Sequence, residues 1–109
     1  MADNYKVLGQ SKPVATTLTD IYTVGAAKQV TVSTINVCNL TSVATTYRIS
    51  VAVVGAVDSQ VQYLFFDDII DVNETKNITA GYTLGAGDVI RCYSASGNIS
   101  FNIFGVEIT

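Results

Sequence analysis

The sequence predicts an all-β fold: an antiparallel β-sandwich, jelly-roll or immunoglobulin-like, of about eight short strands. Three observations carry this. Val, Ile and Thr dominate the chain, and these β-branched residues are stiff and favour strands. Strand-like runs recur at regular intervals, each bounded by turn residues. No stretch shows the apolar spacing of a helix. The chain has 109 residues, enough for one domain and one core.

The elements follow in order. A short strand is expected over about 5–8, inside an N-terminal arm, residues 1–13, that carries the lone proline, Pro13. Residues 14–109 are expected to form a single β-sandwich domain. The next strand runs over about 17–24 and stops at Gly25. A third spans about 29–38, and its apolar phase shifts partway. Val30 and Val32 share one face, whereas Ile35 and Val37 share the other, so a bulge near Ser33-Thr34 is expected. Residues 45–54 alternate most clearly, with Tyr47, Ile49, Val51 and Val53 on one face and Arg48, Ser50 and Ala52 opposite. Residues 60–66 follow as a strand closed by Asp67-Asp68, and a weaker one covers about 74–79.

The last third reads as a hairpin. Gly85-Ala86-Gly87-Asp88 turns into a strand over 88–94, and Ala95-Ser96-Gly97-Asn98 turns again. Ile99, Phe101 and Ile103 share a face. The apolar phase then flips to Phe104, Val106 and Ile108, which marks Gly105 as a bulge or a point of close approach.

Composition narrows the function. The chain is 49% hydrophobic and 14% charged, with net charge −3. A typical domain is about 25% charged, so uncharged Thr, Ser and Asn must cover much of this surface. Apolar surface left over on a small domain marks an interface. Lys6, Lys12, Lys28, Arg48, Lys76 and Arg91 are scattered, which is no footprint for nucleic acid. No apolar run approaches the ~20 residues of a membrane helix. The polar start, Met1 to Lys6, lacks the apolar core of a signal peptide, so synthesis in a cytosol is expected. Four Asn-x-Ser/Thr sequons, at Asn39, Asn73, Asn77 and Asn98, are then by-products of a Thr/Asn-rich composition.

Catalytic chemistry finds no foothold. The chain has no histidine, which removes the commonest general base and most catalytic metal sites. Gly81 to Gly85 lacks the Gly-Lys-Ser/Thr of a phosphate loop, and there is no Gly-x-Ser-x-Gly elbow. Asp67, Asp68, Asp71 and Glu74 carry oxygens suited to Ca²⁺, but not at EF-hand spacing, and read as a solvated loop. Cys38 and Cys92 read as small buried side chains; a disulfide between them needs geometry that a sequence does not carry. The six tyrosines read as core or interface packing. No catalytic, cofactor-binding or metal-binding residue is expected, and no cofactor.

Three segments carry a resemblance: Asn4 to Gln10, Ala15 to Val24, and Ser33 to Asn39. With the ending Asn98 to Thr109, they resemble a family of short virion structural proteins of tailed bacteriophages, common in phages of cyanobacteria. The resemblance implies a capsid cement or decoration protein that bridges capsomers, made in the host cytoplasm and located in the virion. The alternative it leaves open is a tail, baseplate or fibre component, with turn residues such as Asp58, Asn73 and Asn98 touching a host glycan. A second, local resemblance runs from Leu84-Gly85-Ala86-Gly87-Asp88-Val89 to Phe101 and Phe104-Gly105. It is similar to the ending of trimeric jelly rolls of the complement and tumour-necrosis type, and it implies a homotrimer. The implied partners are further copies of the chain, and the major capsid protein or other virion proteins.

Overall fold

The computed structural model describes residues 2–109. Eight strands form two four-stranded antiparallel sheets packed face to face. They are β1 (Asp3–Ser11), β2 (Thr19–Thr23), β3 (Gln29–Asn39), β4 (Thr45–Ala52), β5 (Tyr63–Ile70), β6 (Thr75–Leu84), β7 (Val89–Ser94) and β8 (Ile99–Ile108). Sheet one has the order β1-β8-β3-β6 and sheet two β2-β7-β4-β5. Thus β1 pairs with β8, β2 with β7, β3 with β6 and β4 with β5. One long antiparallel ribbon folds over on itself, which is the jelly-roll arrangement and not the immunoglobulin one.

The core lies between the sheets. Tyr47 and Ile49 of β4, Ile35 and Val37 of β3, and Phe101 and Ile103 of β8 are almost fully buried. Tyr47 meets Phe101 edge-on, with ring centroids 6.1 Å apart. The expected alternation of β4 holds at these positions, and Arg48, Ser50 and Ala52 face outward. The strand ends at Ala52, short of the expected Val54, because Val53–Gly55 forms a 3₁₀ turn. This turn and the rest of the connection to β5 lie over the outer face of sheet two, where Ser50 and Ala52 are buried beneath them.

The bulge expected near Ser33 is present. Against both β6 and β8, the register of β3 shifts between Val32 and Thr34. Val30 and Val32 point inward before it and Ile35 and Val37 after it, so the apolar phase is conserved across the irregularity.

Three expectations change. Residues 3–11 do not reach out as an arm: they are the edge strand β1, paired with β8 from Asp3–Ile108 to Ser11–Phe101. Asp67 and Asp68 do not close β5 but lie inside it. The phase of β8 does not flip. Ile99, Phe101, Ile103, Gly105 and Glu107 all point inward, and Phe104, Val106 and Ile108 all point outward. The irregularities sit in its neighbours instead: at Ser33 in β3, across from Phe104 and Gly105, and between Val7 and Gly9 in β1, across from Ile103 and Phe104.

Gly105 is a site of close approach. A Cβ there would stand inside van der Waals contact of the Thr31 carbonyl oxygen and 3.0 Å from Leu8 Cδ1. A backbone oxygen has no rotamer by which to yield. Gly105→Ala is therefore expected to cost about 3 kcal/mol or more, seen as a lower urea midpoint or as loss of folded protein. A neutral substitution would mean that β1 and β3 spread apart freely.

Candidate functional site

The titratable side chains are the first place to look for chemistry, and the structure commits most of them to bracing. Glu107 points inward from β8 with its side chain only 8% exposed. Its carboxylate accepts a hydrogen bond from the Tyr22 hydroxyl at 2.5 Å and pairs with Lys6 at 2.9 Å and Lys28 at 3.7 Å. At the other side of the sandwich, Asp68 Oδ2 accepts from the Tyr47 hydroxyl at 2.6 Å and from Lys76 Nζ at 3.0 Å. Each network ties sheet two to sheet one: Tyr22 to β8 and β1, and Tyr47 with Asp68 to β6.

The geometry sets the proton affinities. The hydrogen bond from Tyr22, then that from Lys6, holds the Glu107 carboxyl below the usual carboxylate range. Tyr47, then Lys76, does the same for Asp68. Burial first, and the adjoining carboxylate second, push both tyrosine hydroxyls well above their ordinary value.

The acidic stretch from Asp67 to Glu74 does not converge. Asp67 turns out to Arg48, Asp68 turns in to Tyr47 and Lys76, and Glu74 Oε1 accepts from the Asp71 backbone N–H at 2.8 Å. No three His, Cys, Asp or Glu side chains group as a metal site among the described residues. The cysteines lie on different layers, both as free thiols. Cys92 is in the core, where burial pushes its thiol up to about 12. Cys38 is half-buried on the outer face of sheet one, beside Thr75.

Asn73 and Asn98 both flank the β3–β4 loop, bonded to Thr41 and Leu40 through the backbone. Asp58 lies in the β4–β5 connection at the opposite end, beside the Tyr63 hydroxyl. The three turn residues named for glycan contact are thus not brought together. Asn39 is buried and has work of its own. Its amide donates to the carbonyls of Val43 and Asp71, and its oxygen accepts from the Thr41 N–H and hydroxyl. The first sequon is therefore a clasp between two loops.

The two outer sheet faces differ sharply in charge. Sheet two carries Arg91, paired with Asp20 at 2.9 Å, and Arg48, whose guanidinium forks onto Asp67 at 2.7 and 3.2 Å. Arg48 also stacks between the rings of Phe66 and Tyr93, 4.1 and 4.4 Å from their centroids. Phe66 meets Tyr63 edge-on at 5.0 Å. Nothing in a single alternating pattern announces this cluster, because Asp67 reaches Arg48 from a left-handed backbone position (φ 54°).

Sheet one presents the opposite surface. Its outward side chains come in rows across the strands. One row is Gln10, Asn102, Asn36 and Asn77, in which Gln10 donates to Asn102 and Asn36 to Asn77, each at 2.8 Å. The next holds Val7, Phe104, Thr34 and Thr79, and the one beyond it Tyr5, Val106, Thr31 and Thr83. Tyr5 is 76% exposed, Val7 47% and Phe104 38%. Asp3, at the corner, is the one side chain charged at neutral pH among these outward positions of the four strands.

Comparison with protein-family models, with curated proteins and with solved structures finds no match.

The two bracing networks predict the stability profile. Glu107 and Asp68 titrate lower folded than unfolded, so their contribution is full above the ordinary carboxylate range and is lost as pH falls through it. Tyr22 and Tyr47 titrate higher folded than unfolded, so theirs is full below about pH 10 and is lost above. Urea midpoints are expected to be flat between, and to fall at both ends. Glu107→Gln is expected to lower stability at pH 7 by about 1–3 kcal/mol and to flatten the acid limb. An unchanged acid limb would show that Glu107 braces nothing.

Proposed function

We propose that this chain is an assembly protein that packs the outer face of sheet one against copies of itself. In its fuller form the reading is a virion structural protein of a tailed bacteriophage, a capsid cement or decoration protein that bridges capsomers. One observation carries the assembly reading: charge is segregated between the two outer faces. Sheet two bears two arginine–aspartate pairs, whereas sheet one is uncharged save at one corner and exposes Tyr5, Val7 and Phe104. Interface cores are depleted in charge and enriched in aromatics.

The virion setting rests on the sequence resemblance of Asn4 to Gln10, Ala15 to Val24, Ser33 to Asn39 and Asn98 to Thr109. A jelly roll suits the role, since a rigid β-sandwich transmits load through hydrogen-bonded strands. The action would be mechanical: each contact buries apolar area worth ~25 cal/mol per Å² before association costs, and many identical contacts add around a shell. The partners would be further copies, as a homotrimer, and the major capsid protein. The cluster of Arg48, Tyr63, Phe66 and Tyr93 favours a second reading, a tail or fibre component that presents these rings to a host glycan.

Light scattering at micromolar concentration is expected to give a trimer. Phe104→Lys is expected to weaken association by ~100-fold or more with the strand content unchanged by circular dichroism. A wild-type monomer overturns the self-assembly reading. Immunogold labelling of phage particles tests the setting. Label over the head supports the cement protein, label confined to the tail selects the second reading, and unlabelled particles remove both.

A further inference from the structure

We propose that two copies of the chain join edge to edge through β6, antiparallel about a two-fold axis at Asn77, so that sheet one continues from one copy into the next. This contact goes beyond the face contact proposed above and uses a different surface.

An edge strand with unpaired backbone groups is a template for another strand, and proteins blunt such edges with short length, bulges, charges or cover. Three of the four edges here are blunted. Strand β2 has five residues and a register shift within them. Strand β5 carries two shifts and turns left-handed at Asp67. Strand β1 has the irregularity at Leu8, and at Gly9 the Ile21 carbonyl of β2 stands so near that a Cβ would not fit. Strand β6 differs. From Thr75 to Thr79 it pairs with β3 without a shift. Its outward side chains there, Thr75, Asn77 and Thr79, are exposed and uncharged. The charge of Lys76 is turned under the sheet, to Asp68 and the Ile69 carbonyl.

The phase of the backbone hydrogen bonds fixes what this edge offers. The Asn39 N–H donates to the Glu74 carbonyl, and the Leu40 N–H to the Asn98 carbonyl. Successive residues of a strand point these groups to opposite sides. Odd-numbered residues at this end of β3 therefore bond toward β6, and even-numbered ones toward β8. The odd residues Val37 and Ile35 lie opposite Lys76 and Ile78. Thr75, Asn77 and Thr79 are left with N–H and C=O directed at the open edge. Beyond Thr79 the spacing breaks, because Ala80 and Gly81 lie opposite the single Ser33.

These three residues are self-complementary. About a two-fold axis at Asn77, Thr75 meets the second copy's Thr79, Asn77 meets Asn77, and Thr79 meets Thr75. Each is a hydrogen-bonded pair, so every edge-facing group of the segment finds a partner at once. An axis at Thr75 or Thr79 would set part of the segment against the turn at Glu74 or the break at Ala80. The side chains agree with the axis at Asn77. Asn77 ends the row of Gln10, Asn102 and Asn36, and its Oδ1 already accepts from Asn36. Its Nδ2 is left to donate across the axis to the other Asn77 Oδ1, which has a second lone pair. The amide row thus runs through both copies, and threonines oppose threonines on either side of it, a favourable cross-strand pair.

The test places Asn77→Cys in a Cys38→Ser background, which removes the native thiol on this face, and oxidises the concentrated protein under air with a copper catalyst. The Cα atoms of a hydrogen-bonded pair stand ~5.5 Å apart, within disulfide reach. The expected product is a disulfide dimer, resolved by mass under denaturing conditions. Thr75→Cys or Thr79→Cys alone is expected to give about tenfold less, since the axis puts its two copies more than ~13 Å apart. An equal mixture of those two variants is expected to restore the dimer. Adding Thr75→Lys and Thr79→Lys to the Asn77→Cys chain opposes like charges across the axis and is expected to lower its dimer by about tenfold. A second chain carrying Thr75→Glu and Thr79→Glu with Asn77→Cys is expected to rescue it. Absence of dimer from Asn77→Cys would overturn the proposal, and so would equal dimer from all three single variants, which is the mark of random collision. Phe104→Lys separates this contact from the face contact. The Asn77→Cys link is expected to survive it, and loss of the link there would overturn the edge as a contact of its own. A linked dimer from a chain that light scattering finds monomeric at micromolar concentration would sink the face contact and leave the edge standing.

Discussion

The register of β8 between its two neighbours is the constraint on which the rest depends. A shift of one residue exchanges the faces of a strand, and β8 is paired with β3 along its whole length and with β1 from Phe101 to Ile108. Across from residues 103–105 both neighbours carry an irregularity, at Leu8 and at Ser33, and Leu8 and Thr31 both press against Gly105, which has no Cβ. Below this point Tyr5 and Thr31 face outward beside Val106. Above it Gln10 and Asn36 face outward beside Asn102. Without the two bulges, the outward rows on either side of Gly105 could not both exist. The surface offered to a partner is thus set by the same backbone detail that keeps Val30, Val32, Ile35 and Val37 in the core.

Closing the sandwich sets the second requirement. Strands alternate, so an inward position near the end of a sheet faces the rim, where water is near and burial is partial. Glu107 occupies such a position. A lone carboxylate there would carry a desolvation cost of several kcal/mol, and it is offset by three partners drawn from three different elements. Asp68, half-exposed at the other side, is held by Tyr47 and Lys76. Tyrosine suits this place in both networks: its ring packs on the core while its hydroxyl reaches the charge. These carboxylates look chemical in a sequence and prove to be braces because each is held by a tyrosine hydroxyl and a lysine at fixed positions.

Much of the fold was legible in the sequence, and the misses share a cause. The alternation of Tyr47 and Ile49, the turn at Gly85–Asp88 and the bulge at Ser33 were readable because in each the apolar side is the core side. Strand β1 was under-read because an edge strand paired on one side leaves Tyr5, Lys6 and Val7 exposed, and exposure reads as an arm. In β8 the apolar residues Phe104, Val106 and Ile108 suggest, by periodicity alone, a change of core face. The strand runs straight, and these side chains face out. The rule that apolar means inward fails where a second apolar surface is wanted for contact, and the failure itself marks the surface. The stack of Arg48, Phe66 and Tyr93 was not readable at all, since it depends on a left-handed Asp67 and on pairing between strands far apart in the chain.

An uncharged face must still survive in water before it meets a partner, and its composition shows how. A surface of Val and Ile would aggregate without discrimination. Here Thr, Asn and Gln surround a narrow stripe of Tyr5, Val7, Phe104, Val106 and Ile108. The amides of Gln10 and Asn102, and of Asn36 and Asn77, already satisfy part of their hydrogen-bonding capacity on each other. Removing water from a group so paired costs less than removing it from a free amide or from a charge, because fewer bonds to water are lost. The face is therefore hydrated enough to keep a single copy soluble and weakly enough to be dried by a surface that fits. Specificity then falls to shape.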